Sequence, residues 1–287
     1  MTWEETINYI RSKKEYKELI ADAYLDAELG LNVKRFSSSQ EFNDTLALIR
    51  QYKTGNLNIL DVGCGNGIAA VSFASMGHSV VAIDPDPGTS VGTGAVEKLK
   101  ADLHLENLSV LTTTAEEMQL PGEKFDVVYC RQALHHAADL NLFVSNIAQY
   151  IRKGGLLITV RDHVVFDRKD KEKFLDEHPL HKFYHGENAY SREEYRAAIT
   201  RAGLKVQAEL RFFDSPINFF PLSLSDLRTK AEQEEAAIRS KLKQNLGILA
   251  HLLPAYFFYK TFVFNPEAML DEKFFPGRMY SYLAVKK

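Results

Sequence analysis

Four groups of residues in this chain have the types and spacing to do chemistry. The first is Asp61-Val62-Gly63-Cys64-Gly65-Asn66-Gly67, a glycine turn with an acidic residue ahead of it. Glycines spaced this way let the backbone approach a ligand that a β-carbon would push away. The second is Asp84-Pro85, which follows the apolar run Ser79 to Ile83. A carboxylate at a strand end can accept from both hydroxyls of a ribose; the plainer reading is a solvated turn aspartate. The third is His135, His136, Asp162 and His163. A histidine held by a carboxylate can take a proton from a hydroxyl or amine as it attacks an electrophilic carbon, and it can equally cap a helix or orient a loop. The fourth is His178, His181, His185 and Glu187, in the polar stretch 164–190. Their spacing suggests a metal, but Pro179 and Gly186 break any helix there and no second ligand cluster is evident, so no metal is expected. A substrate-facing loop, with Tyr184 or His185 in contact, and plain surface structure are the readings left.

The elements that must position these groups are legible from apolar runs. Leu57, Ile59, Leu60 and Val62 suit a strand buried on both faces of a parallel sheet, and IAAVSFASMG after the turn has helical spacing. Strand, glycine turn and helix make a nucleotide-binding βα unit. A dinucleotide turn would need glycine at position 68, where Ile68 stands. That argues against a nicotinamide dehydrogenase, as does the lack of a downstream catalytic tyrosine–lysine pattern. Further strands are expected at 79–83, 108–112, 125–130, 156–160, 204–213 and 280–285. Ligands of open α/β sheets bind outside the carboxyl ends of the strands, which puts His135, His136, Asp162 and His163 on one rim.

Two motifs carry a family resemblance. One is Asp61-x-Gly63-x-Gly65-x-Gly67 after an apolar run. The other is Phe125-Asp126-Val127-Val128-Tyr129-Cys130, followed by Leu134-His135-His136. Here the chain resembles the class I S-adenosylmethionine-dependent methyltransferases, specifically over residues 55–160 and more generally to 213 plus the last strand. The resemblance implies an α/β, Rossmann-like, doubly wound sheet of seven strands, mostly parallel with the last antiparallel. It implies S-adenosylmethionine as cofactor. The turn Gly63, Cys64, Gly65 and Asn66 would lie against its methionine and ribose, and Asp61 would handle its ammonium, often through water. Asp84 and Pro85 would meet the ribose, and the Ala115 backbone an adenine ring nitrogen. Thr114 occupies a slot where family members often carry aspartate, so the adenine amino contact falls to Thr114 or Glu116, or is missing. The backbone around Cys130 and Arg131 would touch the methionine end. The side chains after them would border the acceptor.

The flanks carry no family signature. Residues 1–54 read as an N-terminal helical cap, with S/T-x-x-E starts at Thr2 and Ser12 and a helix opened by Ser37-Ser38-Ser39. It either lids the cofactor or packs on the sheet edge. The core is expected at 55–215 plus 279–287. Residues 216–278 form a helical and aromatic insert: helical spacing from Leu224 to Leu253, then an aromatic run from Tyr256 to Phe264. A cover over the acceptor is its first reading, self-association as a homodimer the second, and shallow membrane contact the last. His251, Pro254 and Lys260 interrupt it, so no membrane span is expected.

The 287 residues are 45% apolar and 25% charged, with net charge −3, an ordinary soluble balance that suggests no nucleic-acid partner. Two cysteines and a charged N-terminus without a signal peptide fit a cytoplasmic location. The expected activity is methyl transfer from S-adenosylmethionine to an oxygen or nitrogen of a small-molecule acceptor. His-Pro-x-His and Gly-Glu-Asn-Ala-Tyr give a weak analogy to glycan or secondary-metabolite pathways. Two alternatives stand beside it: a non-catalytic S-adenosylmethionine-binding module or inactive partner subunit, and a protein or RNA methyltransferase.

Overall fold

In a computed structural model the described residues are 1–120, 122–229, 272–275 and 277–287, with 232, 233, 236 and 240. Most of the expected insert, including the aromatic run, lies outside them. The chain opens with α1 (Trp3–Arg11), started by the Thr2–Glu5 capping box. Ser12 starts nothing. It ends α1, its hydroxyl donating to the Tyr9 carbonyl, and the helical turns that follow are preceded by Lys13 and Tyr16 without a side-chain cap. α2 (Lys17–Asp22) follows a 3-10 turn, α3 (Leu29–Ser37) is an extra helix, and α4 (Gln40–Arg50) is N-capped by Ser39.

The core alternates: β1 (Asn58–Val62), α5 (Ile68–Ser75), β2 (Ser79–Asp84), α6 (Thr93–Asp102), β3 (Leu108–Thr112), β4 (Phe125–Arg131), α7 (Leu140–Gln149) and β5 (Ile151–Val165). The polar stretch after β5 holds α8 (Arg168–Glu177) and α9 (His181–Tyr184) instead of a plain loop. A two-residue β6 (Tyr190–Ser191), α10 (Arg192–Arg201), β7 (Leu204–Leu210), α11 (Pro216–Phe219) and β8 (Met279–Lys286) complete it.

The sheet order is β3-β2-β1-β4-β5-β8-β7, with β6 paired off the path to β5. Strands β1 to β5 are parallel, and β8 runs antiparallel between β5 and β7. This is the expected doubly wound sheet. Its two faces follow from the period of two along each strand. The row Leu60, Val128, Leu157 packs with α7 and α10, and the adjacent row Ile59, Val127, Leu156 packs with α3, α5 and α6. A third cluster gathers Ile7, Ile10, Ile20 and Leu25 with Val91 and Leu180, and seats the N-terminal helices over the carboxyl edge of the sheet. β5 outruns its expected span at both ends, pairing with β4 at Ile151, with β8 at Asp162 and His163 and with β6 at Val164 and Val165; its register with β8 shifts between Thr159 and Asp162, where Arg161 takes φ +62°. Among the described residues no helix is long and apolar enough to cross a membrane.

Candidate active site

The glycine turn is held from three sides. The amides of Gly63 and Cys64 both donate to the Ile83 carbonyl, at 2.9 and 3.0 Å, tying the turn to the end of β2. Gly63 has φ +70°, and a β-carbon there would lie 2.7 Å from that of Ala133. At Gly67, with φ +82°, it would meet a Val96 methyl at 2.9 Å. The segment after β4 and helix α6 therefore leave room for glycine alone. Asp84 faces the turn: its Oδ2 accepts from the Gly65 amide at 2.8 Å and its Oδ1 from the Asp86 amide at 2.9 Å. Burial pushes the Asp84 carboxyl up, and the two amides pull against that. Each oxygen keeps a further lone pair, so two hydroxyls can still be received.

A cavity of about 770 Å³ opens beside the turn, where the strand order reverses between β1 and β4. Open α/β sheets bind ligands at such a switch point. Asp61, Gly63, Cys64, Gly65 and Asn66 line one side, and Asp84 and Pro85 the next. Ala115, Glu116 and Arg131 line it further along. Cys130 does not reach it. That residue is fully buried behind the wall, and burial pushes its thiol well up. The Thr114 hydroxyl accepts from the Glu117 amide at 3.1 Å, which leaves its second lone pair for an adenine amino group.

Asp61 is the most telling residue. It is 1% exposed, and its Oδ2 has no hydrogen-bond partner. Burial first, and then the neighbouring Asp84, push its carboxyl up to about 7. A buried carboxylate with an open oxygen is costly unless a cation meets it. The ammonium of S-adenosylmethionine is such a cation, Asp84 suits its ribose, and the glycine turn admits its backbone-close approach. The residues present fit this cofactor.

His135, His136 and His163 line the same cavity. His135 is 2% exposed, with Nδ1 3.0 Å from Asp162 Oδ1 and Nε2 3.6 Å from Glu187 Oε2. Burial opposes its charge, but Asp162 and Glu187 outweigh that and raise it to about 9. His163 is pushed down by burial and then by His135. Burial works against the charge of Glu187, but His135, 3.6 Å away, and the other nearby histidines hold it below the usual carboxylate range. Asp162 is a correction to the expected rim. It is 0% exposed and lies behind His135, where its Oδ1 also accepts the His135 amide. Of the fourth group, Glu187 and His178 line the cavity, while His181 and His185 pair with one another, ring centroids 5.4 Å apart.

Sequence reasoning missed Glu41. From α4 it reaches the Arg131 Nε at 2.6 Å and the Arg161 Nη1 at 3.4 Å, fully buried. Burial works against the Arg131 charge, yet Glu41 outweighs it and pushes the guanidinium pKa up. Arg131 also lies over the rings of Tyr24 and Phe36, at 5.5 and 5.4 Å. The N-terminal helices bring more than an ion pair. Trp3, Leu19 and Leu25 line the cavity, and the Asn66 amide donates to the Tyr24 carbonyl at 2.7 Å.

A family model described as a methyltransferase domain matches residues 60–159. A ubiquinone biosynthesis O-methyltransferase of Rhizobium etli is 28% identical over 166 residues, covering 56% of this chain and 65% of that protein. The chain spans 60–65% of the length of the first curated relatives it matches. Among solved structures, the phosphoethanolamine N-methyltransferase 2 of Haemonchus contortus is 18% identical, with a TM-score of 0.53 over 86% of this chain and 52% of that one. The cyclase SpnF is 17% identical, with a TM-score of 0.51 over 85% and 80%. At such identities the likeness concerns the fold alone.

Proposed function

We propose, from the premise that this chain belongs to the class I S-adenosylmethionine-dependent methyltransferases, that it moves the methyl group of that cofactor to a hydroxyl oxygen of a small molecule. The observation that carries the reading is the open Oδ2 of buried Asp61, near Asp84 in a cavity that His135, His136, His163 and Glu187 also line. When bound, the cofactor supplies an electrophilic methyl carbon. Asp61 holds its ammonium and Asp84 its ribose diol, which fixes where that carbon stands. The Ala115 backbone and the Thr114 and Glu116 side chains border the adenine. Trp3, Leu19 and Leu25 exclude water, which strengthens each polar contact inside. The acceptor lies against His135, His136, His163 and Glu187, a polar wall suited to a hydroxyl. Aligning the two reactants accounts for most of the rate in such a displacement. The oxygen acceptor draws support from relatives named O-methyltransferases. The glycan or secondary-metabolite expectation draws none from them.

The test is incubation with methyl-labelled S-adenosylmethionine and a panel of phenols, catechols, sugars and amines. Label is expected on a hydroxylated acceptor. Label on amines alone would overturn the oxygen assignment. Tight cofactor binding without any transfer would make the chain a binding module. In calorimetry, Asp84→Ala is expected to weaken S-adenosylhomocysteine binding by about 1–3 kcal/mol, the scale of a lost charge-assisted contact. Unchanged affinity would remove the ribose role.

A further inference from the structure

We infer that His135, His163 and Glu187 form a site for a divalent transition-metal ion of the zinc class, facing the acceptor end of the cavity. One ligand atom from each residue lies within 4.8 Å of the others. Ligands about 2.1 Å from a tetrahedral ion stand roughly 3.4 Å apart, so the widest pair needs to close by up to about 1.4 Å, while His135 and Glu187 at 3.6 Å are nearly there.

The surroundings of each ligand are those of a metal site. His135 Nδ1 is 3.0 Å from Asp162 Oδ1, and His163 Nδ1 is 3.0 Å from the Gly277 carbonyl. Both partners are acceptors, so both rings can donate from Nδ1, which leaves Nε2 of each as the atom an ion would take, in His135 in place of a proton. Metal-binding histidines almost always use their spare nitrogen in this way. Glu187 is divided likewise. Its Oε1 receives the Tyr184 hydroxyl, and its Oε2 faces His135 Nε2 at 3.6 Å, too far for a hydrogen bond.

The charges also call for a cation. Asp162 and Glu187 are buried, and the Oδ2 of Asp162 has no hydrogen-bond partner. Among the described residues their ion-pair partners are His135 and His178, with no arginine or lysine between them. Two imidazoles and a carboxylate select a zinc-class ion over magnesium or calcium. Three protein ligands leave a fourth position open, as in catalytic zinc sites. That position lies in the cavity that all three residues line.

The role of such an ion rests on the methyl-transfer reading, but its binding does not. An ion here would hold the acceptor's hydroxyl oxygen and make its proton easier to lose. The oxygen forms its bond to the methyl carbon as the carbon–sulfur bond breaks, and the proton leaves to water.

The test uses tag-free protein stripped with a chelator and then dialysed against Zn2+ or Co2+. About one equivalent of Zn2+ is expected to stay bound, and Co2+ is expected to give the visible absorption of a low-coordinate site. Millimolar Mg2+ is expected not to displace either ion. His163→Ala and Glu187→Gln should each lose the bound ion. Asp162→Asn, which keeps the three ligands but loosens the His135 ring, should weaken Zn2+ binding by about 10- to 100-fold. Circular dichroism and S-adenosylhomocysteine binding check that each variant is folded. Absence of Zn2+ from the wild type, or equal retention by folded variants, would overturn the site. Zinc binding without methyl transfer would sink the proposed function and leave the site standing. Methyl transfer unaffected by stripping, with no zinc bound, would do the reverse.

Discussion

Glu41→Ala is expected to destabilise the protein by about 3–5 kcal/mol, the cost of leaving buried charge without its partner. Glu41 is 0% exposed and is the carboxylate that both Arg131 and Arg161 meet. Its loss would leave two guanidiniums side by side with little water to reach them, and the Arg161 Nε already lacks a hydrogen-bond partner. Such a change is a large share of the roughly 5–15 kcal/mol that holds a domain folded. The melting temperature should fall by on the order of 10 °C. Replacing Arg161 by methionine in the same chain should recover part of the loss, since one of the two stranded charges is then gone. A drop below about 1 kcal/mol in denaturant titration would mean that water reaches the arginines and the network is of little consequence.

The second large effect is expected at Gly63→Ala. The residue sits at φ +70°, which costs an alanine about 1–2 kcal/mol, and its new methyl would be forced to 2.7 Å from the Ala133 β-carbon. Ala133 has no flexible end to swing aside, so the backbone of the turn or of the segment after β4 must move. Overpacking of this kind costs about 1–3 kcal/mol more. The displaced turn is the one that orients Asp84 through the Gly65 amide, so cofactor affinity should fall at least 10-fold along with stability. Gly154→Ala is the control. Its φ is +70°, yet nothing lies within 4 Å of the added carbon. It should lose stability alone, by about 1 kcal/mol, with affinity unchanged. Equal affinity in the two variants would show that the Ala133 contact does not govern the cradle.

What the chain discloses before folding depends on range. The strands β1 to β4 and the glycine turn are local patterns, since an apolar run, a turn and a helix stripe each fit in a dozen residues. The Thr2–Glu5 capping box is just as local. Glu41 looked like any acid in the first turn of a helix, because its partners lie far along the chain at Arg131 and Arg161. Glu187 stood in a metal-like spacing with His178, His181 and His185; the fold keeps His178 near it, turns His181 and His185 to each other and brings it to His135, contributed by the segment after β4. The added length of β5 comes from pairing with β4 at Ile151, with β8 at Asp162 and His163 and with β6 at Val164 and Val165, partners that no window around Leu156 could contain. The helix α3 carries a glycine, Gly30, in its first turn and runs into the serine cluster 37–39, which left a stripe too short to stand out.

The place of β8 in the sheet has a consequence for how the protein is made. Strands β5 and β7 leave the ribosome first, and the slot between them waits while residues 211–278 are synthesised. At about 5–20 residues per second, that interval lasts several seconds. Throughout it the long apolar β5 and its later neighbour present bare edges to every other nascent chain nearby. Yield of active protein in cells should therefore hinge on elongation speed and on chaperones that shield those edges, more than on the strength of the finished fold.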